Sequence, residues 1–97
     1  MSTYVLLMNL TDQGIRNIKD APARIEEAFK GLEAVGGKIL AFYAVMGHYD
    51  YVAITEVPGD EVALAQLLGL GMAGNVRTTT LKAFTTEEFG KIVKTLL

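Results

Sequence analysis

Two segments of this 97-residue chain have apolar side chains on both faces of the strand that each would form. Successive side chains of a strand point to opposite faces of the sheet. In the first segment, 4–10, one face would carry Tyr4, Leu6, Met8 and Leu10, and the other Val5 and Leu7. In the second segment, 38–46, the two faces would carry Leu40, Phe42, Ala44 and Met46 against Ile39, Ala41, Tyr43 and Val45. A sheet with such strands must be covered on both faces at its centre.

The rest of the chain predicts further strands alternating with helices. We expect a strand at 4–10, a helical turn at 15–20, a helix at 22–35, strands at 38–46 and 49–57 joined by a tight turn at Gly47-His48, a helix from Asp60 and a strand at 75–84. Thr85 and Glu88 then have the spacing of a capping box that begins a last helix. This order predicts one α+β domain, residues 1–97, with a ferredoxin-like βαββαβ sandwich and a C-terminal helix.

The two main helices of this arrangement lie on one face of the sheet, since both crossovers should be right-handed. The other face would leave four or five large apolar side chains in water, at ~1.5–3 kcal/mol each. A second copy packed sheet to sheet would cover them, so we expect a two-fold homodimer. The chain is 51% hydrophobic, which agrees with a covered face. The alternative is that the terminal helix folds across the open face of its own subunit.

Composition excludes several classes of function. The net charge is −2 with no basic stripe, which argues against nucleic acid as a partner. The chain has no cysteine and one histidine, so we expect no disulfide and no metal site. Gly69, Gly71 and Gly74 have the dinucleotide-binding spacing, but they would end a helix rather than begin one, so we expect no cofactor. The beginning of the chain does not resemble a signal peptide and no segment is long enough to span a membrane, which predicts a cytoplasmic protein without membrane contact.

Six residues are candidates for ligand binding, although no catalytic set can be identified. They are Asn9, Tyr43, His48, Tyr49, Asp50 and Arg77. His48 is either a solvated turn residue or a proton carrier at the rim of a cleft. Asp50 would lie over an apolar face, where it either accepts hydrogen bonds from turn amides or binds a ligand. Arg77 could pair with Asp50 or with a ligand carboxylate.

Three separated segments resemble the GYD domain family. They are 10–16 (LTDQGIR), 47–52 (GHYDYV) and 74–85 (GNVRTTTLKAFT). This resemblance spans nearly the whole chain and implies the dimeric α/β-barrel group of ferredoxin-like folds. The hairpin and the strand beginning at Asn75 are also similar, more weakly, to the effector-binding domain of leucine-responsive (Lrp/AsnC-type) regulators. That similarity implies a stand-alone sensing module, since the chain lacks a helix-turn-helix segment.

Three functional hypotheses remain open at this point. The first is a small-molecule-binding or regulatory module that acts as a homodimer and binds a metabolite such as an amino acid. The second is a small dimeric-barrel enzyme, of the cofactor-free oxygenase or isomerase type, with its site in a cleft between helices and sheet. The third is a structural or assembly protein whose function lies in its interface.

Overall fold

The computed structural model describes residues 1–97 and has four strands and four helices. The strands are β1 Ser2–Leu10, β2 Lys38–Ala44, β3 Tyr51–Val57 and β4 Val76–Ala83, and the helices are α1 Asp12–Arg16, α2 Ala21–Ala34, α3 Asp60–Ala73 and α4 Thr86–Val93. A 3₁₀ turn, Ile18–Asp20, connects α1 to α2. The strands form one antiparallel sheet in the order β2-β3-β1-β4. The structure therefore confirms the predicted α+β, ferredoxin-like fold with a C-terminal helix.

The core lies between the sheet and the helices α2 and α3. Tyr4, Leu6 and Met8 of the central strand β1 are buried on this face, as the alternation along β1 predicted. Leu32 of α2, which is 1% exposed, and Ala63 of α3 pack against them. The start of α3 is also held to the sheet by polar contacts. The Tyr4 hydroxyl donates to the Asp60 carboxylate, and Lys82 Nζ donates to Asp60 Oδ1 at 2.7 Å.

The predicted faces of β2 are only partly correct, because the strand contains a bulge. Ile39 lies opposite Thr55 and the next paired residue of β2, Ala41, lies opposite Ile54. Leu40 is therefore the extra residue, and an extra residue shifts the alternation by one position. As a result Ile39 and Phe42 both pack against the core, although the simple alternation placed them on opposite faces.

The connection between β2 and β3 is longer than the predicted tight turn. β2 ends at Ala44 and β3 begins at Tyr51, so the loop spans residues 45–50. Val45 N donates to the carbonyl oxygen of Asp50 at 2.9 Å and closes the loop. Met46 is 99% exposed at its tip and is not a strand residue. The backbone of Gly47 has a φ of +118°, a value that favours glycine over other residues.

The C-terminal helix α4 begins with the predicted capping box. Thr85 Oγ1 accepts from the Glu88 amide at 3.1 Å, and Glu88 Oε1 accepts from the Thr85 amide at 2.8 Å. The hydrogen bond from the Thr85 amide holds the pKa of Glu88 below its usual range. The helix does not pack closely against any other element, and its Phe89 side chain is 60% exposed.

The open face of the sheet, opposite α2 and α3, is not covered by α4. It carries the side chains that alternate with the core positions along β1, β3 and β4. Its apolar members include Val5, Leu7, Val52, Ile54 and Leu81. The apolar side chains Phe89, Ile92 and Val93 of α4 stay largely exposed, which disagrees with the alternative in which the terminal helix folds across this face and buries them. None of the four helices combines the length and the apolar character that a bilayer-spanning helix requires.

Candidate functional site

Several of the six predicted site residues lie at the end of the sheet where β1 reaches its last residue, Leu10, which we call the β1 edge or simply the edge. Asn9 lies opposite Arg77 of β4, so both side chains are on the open face. Asn9 Nδ2 donates to the carbonyl oxygen of His48 at 2.7 Å, which ties the β2–β3 loop to β1. The structure thus brings Asn9, Arg77 and the main chain of His48 to one edge, and a ligand site there stays a prediction.

Asp50 also lies at this edge, where it binds the main chain of β1. Its Oδ2 atom accepts from the amide of Leu10 at 2.8 Å. Its own amide donates to the carbonyl oxygen of Met8 at 2.8 Å, so the chain is already bonded to β1 one residue before β3 begins. The carboxylate therefore satisfies a backbone amide of the neighbouring strand, not those of the hairpin turn. This contact makes Asp50 a structural residue, whatever else its free oxygen binds.

The remaining predicted site residues are less closely associated with this edge. Tyr43 lies on the open face, opposite Val52, and is 64% exposed. Tyr49 is half-buried in the loop and His48 is exposed there. The predicted pair between Arg77 and Asp50 is absent, because the two ion pairs of the structure lie at Lys82–Asp60 and Lys91–Glu87.

The edge can bind a polar group, but it does not contain a pair of residues arranged for proton transfer. Arg77 is exposed and forms no ion pair, so its guanidinium is free to bind an anionic group. His48 forms no ion pair with a carboxylate.

A second polar cluster, which was not predicted from the sequence, docks α1 against the start of β4. Thr11 donates from its amide to the carbonyl of Asn75 at 3.0 Å and from its hydroxyl to that of Gly74 at 2.6 Å. Gln13 Nε2 donates to Asn75 Oδ1 at 3.1 Å. A Cβ on Gly14 would lie 2.1 Å from the Asn75 carbonyl oxygen, so only glycine allows this approach. Nothing in the sequence indicated the contact of Thr11 with Gly74, 63 positions along the chain.

A large concavity lies on the opposite face of the sheet from Arg77, between α2, α3 and the strands. It has a volume of about 650 Å³, and 15 of its 21 lining residues are hydrophobic. Leu6, Met8 and Ala53 form its floor, with Ile25 on the α2 side and Leu70 on the α3 side. None of the six predicted site residues lines this cavity. The sequence did not reveal it, because apolar residues facing a cavity have the same pattern as apolar residues in a filled core.

Comparisons with known proteins agree with this architecture. A Thermus thermophilus protein named as a glutamine synthetase and cystathionine beta-lyase binding protein is 37% identical to this chain over 84 residues, which are 86% of this chain and 88% of that protein. The crystal structure of TTHA0845 from Thermus thermophilus has a similar fold, with a TM-score of 0.52 over 89% of this chain and 96% of that chain, at 24% identity. The GYD domain family profile matches residues 4–93. The chain therefore belongs to the GYD domain family, as its three sequence segments predicted.

Proposed function

We propose that this GYD domain protein is a regulatory binding module of the cytoplasm, which acts as a sheet-to-sheet homodimer and binds metabolic enzymes. The observation that carries the proposal is the 37% identity to a protein named for binding glutamine synthetase and cystathionine beta-lyase. The similarity covers 86% of this chain and 88% of that protein, so it is not confined to one short segment. Glutamine synthetase and cystathionine beta-lyase are therefore the first partners to test.

The open face of the sheet supports the homodimer. Val5, Leu7, Val52 and Ile54 form an apolar centre, and Leu81 extends it along β4. An exposed apolar surface of this kind, which is flanked by the polar residues of the sheet edges, is typical of a protein interface. Two copies related by a two-fold axis would place the same residues against each other and cover both faces at once.

The helix α4 supports binding to another protein chain. Phe89, Ile92 and Val93 are exposed, although each is large and apolar. The charged residues Glu87 and Lys91 pair with each other on the helix, with Nζ and Oε1 3.8 Å apart. An amphipathic helix with so little packing against its own chain is suited to binding in an apolar groove of a partner.

Binding of a small polar metabolite at the edge where β1 ends is a second candidate function. Its support is the exposed, unpaired guanidinium of Arg77 beside Asn9. In a sheet-to-sheet dimer this edge would border the interface, so a ligand there could alter dimerisation or enzyme binding. Tyr43, His48, Tyr49 and Asp50 remain proposed members of this site.

Sedimentation velocity with a fluorescently labelled chain tests the proposed function. The two enzymes are purified from the organism that encodes the chain, and each is titrated separately. We expect the labelled chain to sediment with at least one enzyme, at a saturable stoichiometry. Serum albumin is the control for non-specific apolar contact. A label that sediments as the free protein at every concentration of both enzymes would refute enzyme binding.

A further inference from the structure

We propose that the cavity between α2, α3 and the sheet binds a neutral, largely apolar small molecule that carries a carbonyl or hydroxyl group. This inference goes beyond the proposed function, because neither the open face of the sheet nor α4 lines the cavity. The volume of about 650 Å³ falls within the ~300–1,000 Å³ of typical ligand pockets. The cavity is therefore large enough for a ligand of two or three rings.

Two buried hydroxyl groups of β3 are among the uncharged polar groups that line the cavity, together with the half-buried Gln66 and Asn75. Thr55 and Tyr51 are both buried on the core face, and both line the cavity. No fully enclosed side-chain oxygen or nitrogen of the chain lacks a hydrogen-bond partner, so a hydroxyl of these two residues that forms no hydrogen bond keeps some accessible surface, and both residues line the cavity. A ligand that displaces water from the cavity must bond these hydroxyls or leave each of them unsatisfied, at roughly 1–3 kcal/mol. The other core positions of β3, Ala53 and Val57, are apolar.

The distribution of charge around the cavity selects a neutral ligand. The charged lining residues Asp20, Arg24 and Glu27 all belong to the segment leading into and along α2. Asp20 and Glu27 are exposed and Arg24 is half-buried, so these charges lie at the mouth. Arg24 Nη1 is already bonded to the carbonyl oxygen of Asn17 at 3.0 Å. A zwitterion such as a free amino acid would lose its hydration in the interior without gaining an ionic partner there.

Fluorescence of N-phenyl-1-naphthylamine, a neutral dye whose emission rises in apolar surroundings, tests this site in the purified protein without any enzyme partner. The dye could also bind the open face, so two matched variants distinguish the faces. Ala53→Leu fills the floor of the cavity, whereas Ala83→Leu makes the same change on the opposite side of the sheet. We expect roughly tenfold weaker dye binding for Ala53→Leu and little change for Ala83→Leu. If circular dichroism shows that Ala53→Leu is unfolded, Ala28→Leu, on the α2 side of the cavity, replaces it.

Displacement of the dye then tests the class of ligand. 2-Acetylnaphthalene and 2-ethylnaphthalene have nearly the same shape, but only the first carries a carbonyl group. We expect the ketone to bind more tightly to the wild-type protein, and Thr55→Val to reduce that preference by roughly fivefold. If Ala53→Leu and Ala83→Leu bound the dye equally well, the proposal that the cavity is the binding site would be wrong. If free leucine displaced the dye as effectively as the ketone does, the proposal that the cavity selects a neutral ligand would be wrong.

Discussion

The substitution Ile54→Asp tests whether the open face of the sheet is the dimer interface. Ile54 lies at the centre of this face, opposite Val5 on one side and Ala41 on the other. It is half-buried within the sheet, and the rest of its side chain would be covered by the second copy. A carboxylate at this position would have no cation opposite it in a symmetric interface, because the same carboxylate comes from the partner.

The loss of dimerisation free energy caused by Ile54→Asp can be estimated from the part of the Ile54 side chain that is exposed in the monomer. Full burial of an isoleucine contributes ~1.5–3 kcal/mol, so the exposed part contributes about 1 kcal/mol per copy. Leaving the carboxylate buried and unpaired adds roughly 1–3 kcal/mol per copy. Two-fold symmetry doubles both contributions to about 4–8 kcal/mol. Since every 1.4 kcal/mol is tenfold, the dimer dissociation constant should rise by at least ~10³-fold.

Sedimentation equilibrium of the wild type and the variant measures this change. Leu64→Asp is the matched control, because Leu64 is exposed on α3, away from the open face. Leu81→Asp provides a second variant on β4, where the more exposed side chain tolerates the change better within the monomer. A dissociation constant that changes equally in the control and in both open-face variants would refute this interface. A wild-type protein that is monomeric at millimolar concentration would refute the homodimer itself.

Three further changes have outcomes that follow from single contacts. Leu32→Ala removes the most deeply packed side chain of α2 and should lower the free energy of unfolding by about 2–5 kcal/mol, measured by urea denaturation. Gly14→Ala places a methyl group against the Asn75 carbonyl oxygen and should destabilise by about 1–3 kcal/mol, whereas Gly31→Ala, with open space around it, should not. Because folding lowers the pKa of Glu88, its cap on the Thr85 amide is formed above the usual glutamate range and is lost as the pH falls through the lowered value. The protection of the amides in the first turn of α4 against hydrogen exchange, measured relative to their intrinsic exchange rates, should therefore fall in acid, and Glu88→Gln should largely remove this pH dependence.

The features that could be predicted from the sequence are those that depend on local pattern. The alternation along β1, the capping box of α4 and the order of elements were each encoded in a few neighbouring residues. The family was recognisable from three short segments, and the GYD match confirms it. The apolar character of the open face also followed from the pattern, because Val5 and Leu7 lie on that face in the structure.

The features that could not be predicted depend on contacts between distant elements. The bulge at Leu40 exchanges the faces of β2, and its position depends on pairing with β3. The bond between Asp50 and the Leu10 amide joins residues 40 positions apart. The cavity depends on how far α2 and α3 stand apart over the sheet, which the composition of neither helix determines.

The activity of glutamine synthetase and of cystathionine beta-lyase, titrated with the purified protein, tests most directly the claim that this chain is a regulatory binding module. We expect the activity of at least one enzyme to change with the concentration of the chain and to reach a plateau at a fixed stoichiometry. Heat-denatured chain should have no effect. Unchanged activity of both enzymes, at chain concentrations that exceed theirs many times over, would contradict the regulatory role.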